Sequence, residues 1–144
     1  MKSAICPIGL LVCFGGMVSL AGCGGKSALQ KLGVGPMVPV QGKVTLAGKP
    51  LMGGNVFLYP EGEVKGYVPQ GLIDSKGDYS LATSGEAGVP VGKYRVTVEP
   101  ASEDKRQDML VDVRYTSSVK SPLVLMVTEN APAGRYDLKL EILK

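Results

Sequence analysis

The chain has 144 residues, 44% of them apolar, with 16 Lys and Arg against 13 Asp and Glu. Histidine and tryptophan are absent, which removes Ser-His-Asp catalysis, histidine-bound zinc and the usual neutral-pH general base, and leaves six Tyr and two Phe as the only rings for stacking. A formal net charge of +3 without a dense basic run gives nucleic-acid binding no electrostatic support.

Met1-Lys2-Ser3 brings a cation ahead of an uncharged, largely apolar stretch that runs to Gly22, the layout of a secretory signal. Its most apolar part, residues 8–18, suits a signal core and falls short of the ~20 apolar residues of a spanning helix. The stretch ends Leu20-Ala21-Gly22-Cys23. Small Ala21 and Gly22 let an extended segment enter a peptidase site, and the Cys23 thiol is the nucleophile there that can take a diacylglyceryl thioether. In residue types, order and distance from the start this resembles a bacterial lipoprotein signal. Residues 1–22 are therefore read as a leader cleaved between Gly22 and Cys23, with membrane lipid bound through acylated Cys23. Two acyl chains suffice for stable anchoring. An uncleaved anchor helix, the competing reading, also puts the rest of the chain outside the cytoplasm. Cys6 and Cys13 leave with the leader, so the domain has no thiol for a disulfide, a metal site or a nucleophile.

Residues 23–37 hold Gly24, Gly25, Gly33, Gly35 and Pro36 without apolar alternation, and read as a flexible linker of root-mean-square span ~20 Å. From Val38 onward short alternating runs are separated by Gly, Pro, Asn and Asp, so 38–144 is one β domain. Strands are predicted over 40–46, with Val40, Val44 and Leu46 inward, and over 55–59. Those over 67–73 and 79–83 form a hairpin across Asp74-Ser75-Lys76-Gly77-Asp78, where Gly77 supplies a positive φ. Residues 93–99 put Tyr94, Val96 and Val98 on one face. A charged loop follows over 100–108, then a candidate strand over 110–115, and strands over 123–128 and 135–143 close the domain. Tyr136, Leu138, Leu140 and Ile142 mark the inner face of the last.

One unit recurs: Pro90-Val91-Gly92-Lys93-Tyr94 and Pro132-Ala133-Gly134-Arg135-Tyr136, each followed by an alternating strand. Proline presets φ and glycine takes a turn position that other residues avoid, so the unit launches a strand with its tyrosine inward. Strands of this length and spacing imply an antiparallel sandwich.

Gly42-Lys43-Val44-Thr45-Leu46-Ala47-Gly48-Lys49-Pro50-Leu51, Val56-Phe57-Leu58-Tyr59-Pro60, Asp74-Ser75-Lys76-Gly77-Asp78-Tyr79-Ser80-Leu81 and Pro90-Val91-Gly92-Lys93-Tyr94-Arg95-Val96-Thr97-Val98 stand in the order typical of carboxypeptidase regulatory-like domains, which this chain resembles. Tyr115-Thr116-Ser117-Ser118 and Ser121-Pro122-Leu123 resemble segments of small bacterial lipoproteins of this type. The resemblance implies an all-β, antiparallel, seven-stranded Greek-key sandwich of the transthyretin-like (prealbumin-like) type. With the lipoprotein signal in front, the chain is similar to small lipoproteins of planctomycete-like bacteria. The resemblance carries no catalytic residues across: transthyretin-like ureide hydrolases need histidines and a terminal Tyr-Arg-Gly-Ser, and this sequence has neither.

Asp74-Ser75-Lys76-Gly77-Asp78 has carboxylates at alternate positions, as calcium loops do, but Lys76 stands where a ligand is wanted and no glutamate follows at the required distance. A plain turn is the better reading. Glu61, Glu63, Glu99 and Asp108 are read as surface carboxylates. No metal or cofactor is expected. The reading is of a non-enzymatic, lipid-anchored cell-envelope module that contacts another envelope protein through a sheet edge or loops. Gly24 follows the acylated position where an aspartate marks inner-membrane retention in enteric bacteria, so the outer membrane or periplasmic face is favoured by resemblance. The alternative is a small-ligand or carbohydrate-binding lipoprotein, with Tyr59, Tyr67, Tyr79 and Tyr115 as contact residues.

Overall fold

Alternation decides which side chains enter the core of the computed structural model, which describes residues 33–62, 66–132 and 135–142. The leader, Cys23 and the start of the linker lie outside the described residues. The strands are β1 (Met37–Val38), β2 (Gln41–Leu46), β3 (Lys49–Pro50), β4 (Gly54–Pro60), β5 (Gln70–Ile73), β6 (Asp78–Ser80), β7 (Ala82–Thr83), β8 (Glu86–Ala87), β9 (Val89–Pro90), β10 (Gly92–Pro100), β11 (Val124–Val127) and β12 (Leu138–Leu140). A short helix, α1 (Lys105–Leu110), and a 3-10 turn (Val113–Thr116) lie between β10 and β11. In β2 the side chains of Val44 and Leu46 are buried, in β4 those of Val56 and Leu58, and in β10 those of Tyr94, Val96 and Val98. These form one core with Val40, Leu51, Val89 and Val127.

The protein is predominantly β, its sheets curled into a half-barrel. The hydrogen-bonded path runs β11-β10-β4-β5-β6-β2-β12, and β5 meets β6 through the single pair Ile73 and Tyr79. Among the described residues, pairing is antiparallel except at one place: β12 runs parallel to β2, Leu138 opposite Val44 and Leu140 opposite Leu46. That departs from the wholly antiparallel expectation, because alternation fixes which face a residue takes but not which strand lies beside it.

Two tight hairpins have positive φ at both central residues, as type I′ turns require: Ala47 (48°) and Gly48 (82°) between β2 and β3, and Ser84 (50°) and Gly85 (85°) between β7 and β8. Gly77 has the positive φ expected of it, 81°, and a Cβ there would sit 2.8 Å from Val44 O. Gly92 does not; it lies in β10 outside the left-handed region, so the repeated unit owes nothing to a left-handed glycine at that position.

Further expectations change. Residues 110–115 are not a strand: α1 ends at Leu110, a 3-10 turn follows, and Val111 makes only an isolated bridge to Ile142. The charged loop therefore contains a helix start, where Asp104 Oδ1 accepts from Arg106 N (3.0 Å); Asp112 Oδ1 does the same for Arg114 N (2.9 Å) at the 3-10 turn. Pro69, which has no N–H to give a ladder, delays β5 to Gln70. The strand over 79–83 divides at Leu81, whose N–H bonds to Val40 O and whose C=O accepts from Gly88 N. Ile142 is 43% exposed rather than inward. The domain also begins before Val38: Met37 is in β1, paired with Pro90, Val91 N bonds to Pro36 O, and Val34 packs on the core.

Buried tyrosines join distant parts of this frame. Tyr94 Oη donates to Pro90 O (2.7 Å), and with that proton committed Tyr67 Oη donates to Tyr94 Oη (3.2 Å). Tyr79 Oη donates to Tyr136 O (2.6 Å), while Tyr136 Oη lies 3.3 Å from both N and O of Thr128. Beside that junction Gly42 leaves no room for a side chain: a Cβ would collide with Tyr136 O and stand 3.0 Å from Tyr79 Cε1. Gly42→Ala is expected to lower the free energy of unfolding by about 1–3 kcal/mol in denaturant titrations, whereas Gly62→Ala, with nothing within 4 Å of its Cβ, leaves it within about 0.5 kcal/mol.

Candidate functional site

The four tyrosines offered for ligand contact do not form a site. Tyr67, Tyr79 and Tyr115 are buried in the core, and only Tyr59, opposite Arg95 on the outer face of β4, is half-exposed. The buried hydroxyls are engaged: burial, with Asp137 and Tyr136 nearby, pushes the Tyr79 phenol well above its ordinary pKa, and burial and Tyr67 do the same to Tyr94. Both stay protonated donors to backbone carbonyls. Tyr115 Oη accepts from Glu141 N (3.1 Å), with the Arg114 guanidinium 5.2 Å from its ring centre. A trough of about 450 Å³ is lined by Asn55, Gln70, Leu72 and Ser84 but by no tyrosine.

Carboxylates are likewise spread out. Glu61 binds Lys93 Nζ (2.8 Å) and Arg95 Nη2 (2.6 Å), and the hydrogen bonds from Lys93 and then Arg95 hold its carboxyl below the ordinary value. Asp74 Oδ1 accepts from Lys76 N (2.8 Å) and Asp78 N (2.9 Å), which lower its pKa and close the turn on itself. Asp78 points to Lys43 (3.3 Å). That loop uses its acids to fold, as the turn reading expects. Glu63 lies outside the described residues, and among the described residues no group of three or more His, Cys, Asp and Glu is placed to hold a metal.

The chain enters at one end of the half-barrel, where Gly33, Val34 and Gly35 lie beside Pro60, Gly62, Tyr67 and Lys93 around a small pocket of about 150 Å³. At the other end, past Gly54 and Pro100, α1 lies over the β2–β3 hairpin. None of its side chains is buried. Polar bonds hold it instead: Gln107 Nε2 donates to Pro50 O (2.8 Å) and Gln107 Oε1 accepts from Met52 N (3.0 Å). Behind it the buried Ser102 hydroxyl lies 2.6 Å from Asp108 Oδ1, and Lys105 Nζ approaches Asp108 Oδ2 at 3.4 Å. Between α1 and the hairpin runs a groove of about 410 Å³, whose lining includes apolar Met52, Leu110 and Ile142 and polar Lys49, Asp104 and Arg106.

Sequence reasoning missed this end. Its signal was Asp104, a helix-capping residue, ahead of Lys105, Arg106, Gln107, Met109 and Leu110, which favour helix. No helix among the described residues is long and apolar enough to cross a membrane. Comparison with family models, with curated proteins and with solved structures finds no match.

Partial burial raises the Asp108 pKa, but the bonds from Ser102 and Lys105 outweigh it and the net shift is downward. A depressed carboxyl stabilises the fold fully above the unfolded aspartate pKa of ~3.9 and loses that contribution as pH falls through the folded value. Asp108→Asn is thus expected to cost about 1 kcal/mol at neutral pH, and the difference from the parent chain should shrink below about pH 4 in urea unfolding curves.

Proposed function

We propose that this protein is a lipid-anchored, non-enzymatic module of the cell envelope, held to membrane by acylated Cys23 and contacting another envelope protein through its sheet edges and loops. The observation that carries the reading is polarity along the domain. The first described residues lie at one end of the half-barrel, and α1, the β2–β3 hairpin and the Asp74–Asp78 turn lie at the other. From Cys23 to Val34, where the chain first packs on the core, the backbone reaches at most ~40 Å. An anchor at Cys23 therefore keeps the domain close to the bilayer and turns its α1 end away from the point of attachment.

The strand order supports the finer fold assignment. Consecutive β4, β5 and β6 lie side by side, and β10 returns to pair with β4. A Greek key would have that spatial order, and β11-β10-β4-β5 and β6-β2-β12 would be the two faces of a transthyretin-like sandwich, joined at Ile73 and Tyr79. Tyr94, bonding back to Pro90 four residues upstream, closes a corner of the kind such sandwiches use. The motif resemblance to carboxypeptidase regulatory-like domains points the same way. With three of the four tyrosines in the core, no observation favours the carbohydrate-binding alternative.

Metabolic labelling with a fatty acid tests the anchor. The parent chain is expected to carry label and to sediment with membranes, and Cys23→Ser to carry none and remain uncleaved. Label on the Cys23→Ser chain, or unlabelled parent chain in the cytoplasm, would overturn the assignment.

A further inference from the structure

The two edges of the curled sheet are not alike. β12 presents Lys139, and the chain just beyond it is covered by Val111, bridged to Ile142, and by Tyr115, bonded to Glu141 N. β11 pairs with β10 alone among the described strands. Leu123 O accepts from Val96 N, so in the alternating antiparallel ladder Leu123, Leu125 and Val127 turn their backbone groups toward β10. Among the described residues, the N–H and C=O groups of Val124 and Met126 are left on the free side. One step further, at Thr128, the same groups are taken by the Tyr136 hydroxyl, which ends the open stretch.

The side chains along this edge carry none of the usual protection. Leu125 and Val127 point into the core, while Val124 and Met126 stand on the outer face at 50% and 46% exposure. No lysine, proline or bulge interrupts the strand, and those are the devices that ordinarily stop an edge from pairing. Just outside it, exposed Lys120 and Pro122 precede the strand, Pro122 limiting the open stretch on that side, and exposed Glu129 follows it. The edge therefore has free backbone donors and acceptors, an apolar surface and opposite charges at its two ends.

We propose that β11 pairs antiparallel with β11 of a second copy of this chain. Antiparallel pairing about a two-fold axis at Leu125 sets Val124 against Met126 of the other copy and Met126 against its Val124. Each such pair would exchange both its N–H and C=O bonds. Side chains on the outer face stay together on that face, since opposed residues in the ladder share a side. The same geometry brings the Glu129 end of each copy to the Lys120 end of the other, so charge favours this orientation and opposes the reverse one. The pairing closes on itself and leaves no further β11 edge open, giving a dimer and not a fibre.

Sedimentation velocity on the full chain in detergent, across a concentration series, tests this. A monomer–dimer equilibrium is expected. Met126→Lys, which changes an exposed side chain, should raise the dimer dissociation constant at least ~10-fold by putting a cation into the joint, with the thermal unfolding midpoint unmoved at concentrations where both chains are monomeric. Glu129→Lys should weaken the dimer at low salt, and adding Lys120→Glu should restore it. A chain that stays monomeric to the highest concentrations, or a dimer indifferent to Met126→Lys and to the charge exchange, would overturn the proposal.

Discussion

Tyr136 is the point on which the half-barrel closes. Its carbonyl accepts a hydrogen bond from the Tyr79 hydroxyl, its own hydroxyl holds the N–H and C=O of Thr128, and its main chain presses so closely on β2 that only Gly42 fits opposite. One residue on, Asp137 Oδ1 accepts from Lys43 N (2.9 Å), and from Leu138 the chain runs as β12 beside β2. A single residue thus ties the β11 end of the sheet path, the β6 hairpin and the strand at the opposite edge. The interaction works because its polar atoms are satisfied inside the core: a buried phenol without a partner would cost on the order of 1–3 kcal/mol, and here each hydroxyl finds a backbone group. Burial keeps Tyr79 protonated, so this donor does not disappear in mildly alkaline solution.

Much of the core was legible in the residues. Val40, Val44 and Leu46, then Tyr94, Val96 and Val98, then Tyr136, Leu138 and Leu140 alternate with polar neighbours, and all are buried. Period two is imposed by strand geometry itself, so these positions needed no knowledge of what they pack against. The Asp74–Asp78 turn was legible for a similar reason, because a carboxylate two and four residues from free N–H groups folds locally.

What escaped depended on partners remote in sequence or on competition between local signals. Val111, Val113 and Tyr115 imitate alternation, yet Asp104 and Asp112 capture nearby N–H groups and set helical turns first. Two-residue strands such as β1 and β9 are too short to show any period. The tyrosines were misplaced because a phenol suits a ligand surface and a core equally well until its acceptor is known; the acceptor of Tyr79 lies 57 residues away. α1 was hidden for the opposite reason: it buries none of its side chains, so no apolar stripe announces it.

The parallel pairing of β12 with β2 also governs when this fold can exist. Lys43 and Asp137 are 94 residues apart, and the strand laid down near the beginning of the domain is completed by almost the last residues described. A chain delivered from its N-terminus cannot settle β2 between both of its neighbours until that final segment has emerged. Contacts of such long sequence separation form slowly, because loop closure must precede the stabilisation it brings. The topology therefore acts as a delay: the pairing of β2 stays unfinished until β12 has been made.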